Sequence, residues 1–139
     1  MIKQIAHIGI AVRSLDNHLP FYREVLQLPL QAIEEVPEQK VRVAMFKVGE
    51  ATIELLEPLS ADSPIASFLE KRGEGLHHVA YESDDIVAEI AHLQQHGVRM
   101  LDQTPRRGAH GTEIAFIHPS SSGKVLTEIC QHRGESHEH

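Results

Sequence analysis

Strand-like apolar runs and stretches of helical period alternate along this chain, and the pattern occurs twice. The run Ile5-Ala6-His7-Ile8-Gly9-Ile10-Ala11-Val12 carries a histidine near its start, and Leu76-His77-His78-Val79-Ala80-Tyr81 does the same 71 residues later. The same offset carries Ser14 onto Asp85, both residue types that cap helices. Leu15, Leu19, Tyr22, Val25 and Leu26 then fall on one helical face and predict a helix over about 15–26. Ile86, Ile90, Ala91 and Leu93 predict a second over about 85–95, stopped by Gly97. Strand signals follow each helix. They lie at 30–36, 41–48 and 51–56 in the first half, with Gly49-Glu50 as a tight turn, and at 98–101, 112–117 and 125–130 in the second. Two positions fit poorly. Pro20 removes a backbone bond inside the first helix, at about 3 kcal/mol, and Gln27 stands where a glycine stop is expected. The repeat outweighs both, and one continuous helix is the expectation.

Each half therefore reads strand, helix, then three strands. This predicts an α+β fold of two tandem βαβββ modules in a single domain, residues 1–139. Module 1 covers about 4–58, a linker with a short helix opening at Ser63-Pro64 covers 59–74, module 2 covers about 75–131, and 132–139 form a polar tail.

The doubling also organises the polar residues. Thr52-Ile53-Glu54-Leu55-Leu56 and Leu126-Thr127-Glu128-Ile129-Cys130 each carry a carboxylate among apolar residues. The spacings are 47 residues from His7 to Glu54 and 50 from His78 to Glu128. A buried carboxylate without a partner costs several kcal/mol, so each needs a cation. Equivalent positions of a duplicated unit are expected to face each other, which would set His7, Glu54, His78 and Glu128 around one ion. Two imidazoles and two carboxylates suit an octahedral first-row divalent metal and leave two adjacent positions open for chemistry. His77 points to the other face of its strand, and His18, His92 and His96 are expected to face solvent from helices.

Composition narrows the class of function. The chain has 13 Lys+Arg against 20 Asp+Glu, a formal net charge of −7, which argues against a nucleic-acid surface. Histidine is over-represented, at 11 of 139 residues, which fits metal or proton-transfer chemistry. Cys130 is the one cysteine, so no internal disulfide forms and a reducing compartment is expected. There is no 18-residue apolar run and no leader pattern at Met1-Ile2-Lys3-Gln4, which together predict a cytoplasmic protein without a membrane segment. No Gly-rich phosphate loop is present.

The positions His7, Glu54, His78 and Glu128 resemble the ligand set of the vicinal oxygen chelate superfamily, whose two modules form a cupped mixed sheet around a divalent metal. Within it the chain is similar to the methylmalonyl-CoA epimerases. The similarity lies in Glu54-Leu55-Leu56-Glu57-Pro58-Leu59 with Asp62-Ser63-Pro64-Ile65, in Gly73-Glu74-Gly75-Leu76-His77-His78, in Arg107-Gly108-Ala109-His110-Gly111 and in His118-Pro119. It spans about residues 5–130. The resemblance implies interconversion of (R)- and (S)-methylmalonyl-CoA by removal and return of the α-proton, through an enolate stabilised by a divalent ion, Co²⁺ before Mn²⁺, Ni²⁺ or Zn²⁺. It implies Glu128 as both ligand and base, and a homodimer. Some relatives carry a second catalytic Glu where Val43 stands here, after Pro37-Glu38-Gln39. His110, in its glycine-flanked loop, is the candidate substitute. Lys71, Arg72, Arg106, Arg107 and Lys124 are the loop cations available to an anionic CoA. The alternatives are a lactoylglutathione lyase, an extradiol dioxygenase or a non-catalytic ligand-binding protein of the same fold.

Overall fold

The computed structural model describes residues 1–132. From residue 133 on, the polar tail lies outside the described residues. The chain forms two compact units. One is His7–His77, and the other joins Met1–Ala6 to the residues from His78 onward.

The first unit contains the His7–Ala11 part of strand β1 (Ile2–Ala11), helix α1 (Leu15–Pro20), a π-helical turn (Phe21–Val25), strands β2 (Leu30–Val36), β3 (Val41–Val48) and β4 (Ala51–Pro58), and helix α2 (Pro64–Arg72). Its strands lie in the order β2-β3-β4-β1. β2, β3 and β4 run antiparallel, and β4 returns parallel to β1. One face of this sheet is covered by α1, where Leu15, Leu19 and Val12 pack on Ala44, Phe46 and Leu55. Gly49, at φ +62, makes the hairpin turn between β3 and β4 possible.

The helix expected over 15–26 is not continuous. Pro20 ends the α-helical part, and the chain widens into a π-turn whose last bond runs from the Leu26 N–H to the Phe21 carbonyl. The extra residue rotates the following positions off the core stripe. Val25 and Leu26, expected inside, are 70% and 47% exposed. Gln27 takes the left-handed conformation, φ +60, that a glycine stop would have adopted. Both misfitting residues therefore mark real breaks.

The second unit contains β5 (Gly75–Ser83) from His78 on, α3 (Ile86–Gln95), β6 (Arg106–Arg107), β7 (Thr112–Ile117) and β8 (Thr127–His132). The order is β5-β8-β7-β6, again antiparallel through the last three strands with β8 returning parallel to β5. α3 packs Ile86 and Ile90 on Ala115, Ile117 and Ile129. The strand expected at 98–101 is only a bridge between Met100 and Ile117, and the edge strand is Arg106–Arg107. Both halves keep the strand–helix–three-strand order, so the α+β reading holds.

Helices α1 and α3 are each tied to the last strand of their own half. The Leu15 N–H donates to Glu57 Oε1 at 2.7 Å, and the Ile86 N–H donates to Gln131 Oε1 at 2.8 Å. These supply partners for amides that a helix start leaves unpaired. α3 has a further cap, the Asp85 carboxylate on the Ala88 N–H at 3.1 Å, whereas Ser14 makes no such side-chain bond.

Candidate metal centre

Strand register sets each histidine beside its carboxylate. In the first unit Gly9 pairs with Glu54, and His7 lies two residues before Gly9 on the same face. In the second unit Ala80 pairs with Glu128, and His78 lies two residues before Ala80. The two halves thus repeat one local geometry. His7 Nδ1 stands 3.5 Å from Glu54 Oε2, and His78 Nε2 stands 3.3 Å from Glu128 Oε1.

These separations are wider than the usual N–H···O bond. Two ligands about 2.1 Å from an ion and at right angles lie ~3.0 Å apart, so each pair can share a cation as neighbouring ligands. Burial makes that chemically apt. The side chains of His78 and Glu128 are 6% and 5% exposed, and those of His7 and Glu54 are 14% and 13% exposed. A carboxylate held this far from water needs positive charge close by. The nitrogen and oxygen donors present in each half are those that first-row divalent ions accept.

The other named residues fall as follows. His110 belongs to the short 3-10 turn Ala109–Gly111, and its side chain lies outside the description. His77 packs edge-on against Phe68 of α2, with 5.0 Å between ring centroids. His18 is partly exposed and meets Glu74 at 2.9 Å. The Glu74 carboxylate also accepts the Arg13 backbone N–H at 2.8 Å, and this bond, then the one to His18, holds its pKa below the ordinary value. The His92 and His96 rings lie 4.4 Å apart and tilted by 46° at the end of α3, with His96 Nδ1 at 2.9 Å from the His92 carbonyl. Of the cations expected in loops, Lys71 and Arg72 instead end α2 and Arg106 and Arg107 form β6; Arg106 is engaged with Asp102 at 3.1 Å and lies over the Phe116 ring, and Arg72 lies over Phe68. The sequence reading missed Glu57 and Gln131. Their signal is that each stands three residues after a candidate ligand, Glu54 or Glu128.

Comparison with known proteins gives a consistent picture. The model of the glyoxalase/bleomycin resistance protein/dioxygenase superfamily matches residues 6–116. An uncharacterised protein of Bacillus subtilis is 45% identical over 136 residues, 98% of this chain and 97% of that protein. The mitochondrial methylmalonyl-CoA epimerase of Mus musculus is 38% identical over 129 residues, 92% of this chain and 72% of that protein. A solved methylmalonyl-CoA epimerase, in complex with methylmalonyl-CoA and NH4+, superposes with a TM-score of 0.92 at 38% identity, over 96% of this chain and 97% of the other.

Proposed function

Since the chain belongs to the glyoxalase/bleomycin resistance protein/dioxygenase superfamily, we propose that it is a metal-dependent methylmalonyl-CoA epimerase, a single vicinal oxygen chelate domain. The observation that carries the reading is the doubled His/Glu pair at matched register. The chain's 38% identity to an epimerase over most of its length supports the choice of substrate.

In this reading His7, Glu54, His78 and Glu128 hold one divalent ion, Co²⁺ in the first instance. The bound ion supplies positive charge where the thioester oxygen becomes negative. The α-carbon of the substrate lies between a thioester and a carboxylate, so its proton can be removed to give an enolate. Glu128 takes that proton through a carboxylate oxygen. Inversion then requires a proton donor on the opposite face of the planar enolate. Low exposure at His78 and Glu128 keeps water from quenching the carbanion side of the reaction. The CoA portion is anionic, and Lys71 at the end of α2, Arg107 of β6 and Lys124 are the basic residues available to it. Among the described residues no helix is long and apolar enough to cross a membrane. A cytoplasmic homodimer completes the reading.

The test uses one epimer of methylmalonyl-CoA in D₂O, with and without a chelator. Interconversion with deuterium entry at the α-carbon, abolished by chelation and restored by Co²⁺, is the expected result. No exchange in protein loaded with Co²⁺, Mn²⁺, Ni²⁺ or Zn²⁺ overturns the reading. A parallel assay with the methylglyoxal–glutathione hemithioacetal separates the lactoylglutathione lyase alternative.

A further inference from the structure

The second unit sets an aromatic ring against its histidine. Phe116 of β7 is the register partner of Glu128, and Glu128 is the partner of Ala80, so Phe116, Glu128 and His78 share one face of the sheet. The opposite face is the one on which Ala115, Ile117 and Ile129 meet α3. The Phe116 and His78 rings lie edge to face, with centroids 5.8 Å apart and planes at 78°. Phe116 sits beyond the end of β6, whose two residues pair only with Glu113 and Ile114. Asp102 does what the missing strand would do. Its Oδ2 accepts the Phe116 N–H at 2.8 Å, and the Leu101 N–H donates to the Phe116 carbonyl at 2.8 Å. The other Asp102 oxygen, Oδ1, accepts Arg106 Nε at 3.1 Å. Arg106 then lies over the Phe116 ring, 5.5 Å from its centroid, a cation–π contact. One carboxylate thus fixes both the backbone of Phe116 and the cation on its ring, while Ala80, Ile114 and Cys130 pack against the ring from the sheet.

We propose that Phe116 is a positioning residue for His78, and that Asp102 and Arg106 hold the ring that holds the imidazole. This rests on the reading above in which His78 and Glu128 bind a divalent ion. A histidine ring turns about its bond to Cβ, and a ligand pair needs one orientation, the one that keeps Nε2 beside Glu128 Oε1 at 3.3 Å. Metal-binding histidines are commonly oriented by a neighbour on the side away from the ion, and losing that neighbour weakens metal binding. An edge-to-face aromatic partner restricts the same rotation by shape and by the ring quadrupole. The clamp behind Phe116 gives the restraint its stiffness. Asp102 is anchored at two points, Arg106 is drawn across the ring by its own ion pair, and the strand beneath is paired with β8. All of these contacts lie within the second unit.

The test needs no turnover. Apoprotein is titrated with Co²⁺, and the visible absorption of the bound ion reports affinity and ligand geometry together. Phe116→Leu should bind about 10- to 100-fold more weakly than wild type, with a changed spectrum. Phe116→Tyr keeps the ring and should stay within about threefold of wild type, with the wild-type spectrum. A role in packing alone would lower the urea midpoint of Phe116→Leu and leave affinity and spectrum unmoved, and that result overturns the proposal. Equal weakening in Phe116→Leu and Phe116→Tyr overturns it too, because the ring would then not be what matters. Where Phe116→Leu does not fold, Arg106→Met decides, since its side chain is half exposed and lies outside the core. Co²⁺ binding weakened by about threefold with a shifted spectrum supports the proposal, and wild-type affinity and spectrum overturn it. A wild type that takes up none of Co²⁺, Mn²⁺, Ni²⁺ or Zn²⁺ instead overturns the metal reading itself.

Discussion

The two halves of the chain repeat one plan but differ in where they are strong. The first half follows a helix broken after Pro20 with three strands of seven or eight residues. The second has an uninterrupted helix with a side-chain cap, and an edge strand of two residues. The histidine–glutamate pair sits at the same register in both, yet the second pair is the more deeply buried. The periphery has therefore diverged while the polar centre of each half has kept its geometry. Under the proposed function, this difference in depth assigns the two pairs different roles. The drier pair suits proton transfer, and the wetter pair suits holding charge.

The largest effect should come from exchanging these roles. If Glu128 is the base, as proposed, Glu128→Gln should lower interconversion by ~10³-fold or more, and added metal should not restore it. Glu54→Gln should cost about 10- to 100-fold through weaker metal binding, and excess metal should recover most of it. Steady-state rates at several Co²⁺ concentrations read both. Equal, metal-insensitive losses would erase the distinction between the pairs.

Next come the helix ties. Glu57→Ala should destabilise by about 1–2 kcal/mol, because the Leu15 N–H loses its partner and Ser14 supplies no side-chain cap. Gln131→Ala should cost less, under about 1 kcal/mol, because Asp85 still caps α3. Urea unfolding compares them, and a reversed order would mean that the break at Pro20 makes α1 insensitive to its first turn. A smaller effect of opposite sign is expected at Gln27, whose left-handed backbone favours glycine. Gln27→Gly should stabilise by about 0.5–1 kcal/mol, read as a raised Tm.

The smallest effect is electrostatic and confined to the first half. Glu74 is held below its ordinary value near 4.5 by the Arg13 N–H and then by His18. A folded-state pKa below the unfolded one adds stability that is present above 4.5 and is lost as pH falls through the folded value. Glu74→Gln should therefore flatten the stability–pH curve on the acid side of 4.5 and leave the neutral region with a small uniform change. Thermal melts from pH 3 to 7 show it.

Sequence pattern was most informative where burial is one-sided and repeated. Strand β2 alternates in burial up to Pro37, β3 carries an apolar run, Val43 to Phe46, buried on both faces and ends before Gly49, and Asp85 announces α3. Pattern failed where chemistry does not alternate. Arg106-Arg107 carries no apolar signal, yet it pairs with β7. Val98 to Leu101 looks like a strand because Val98 and Met100 pack on the α3 core, but one bridge is all the pairing it makes. The π-turn was foreshadowed by Pro20 and Gln27 without its consequence for Val25 and Leu26. Each His and Glu was legible as a repeated polar residue in an apolar run. The bonds from Leu15 to Glu57 and from Ile86 to Gln131 span more than forty residues, and no local pattern reaches that far.

Those two bonds turn a strand into a ruler. Three positions separate Glu54 from Glu57 and Glu128 from Gln131, an odd step that sends one side chain toward the face of its histidine and the next toward the helix. Substitution inside either interval leaves the step intact. A single inserted or deleted residue does not, because both side chains would then emerge on one side and the module would have to surrender either its helix anchor or its histidine–glutamate pair. Length, more than identity, is what these short stretches of β4 and β8 have to preserve.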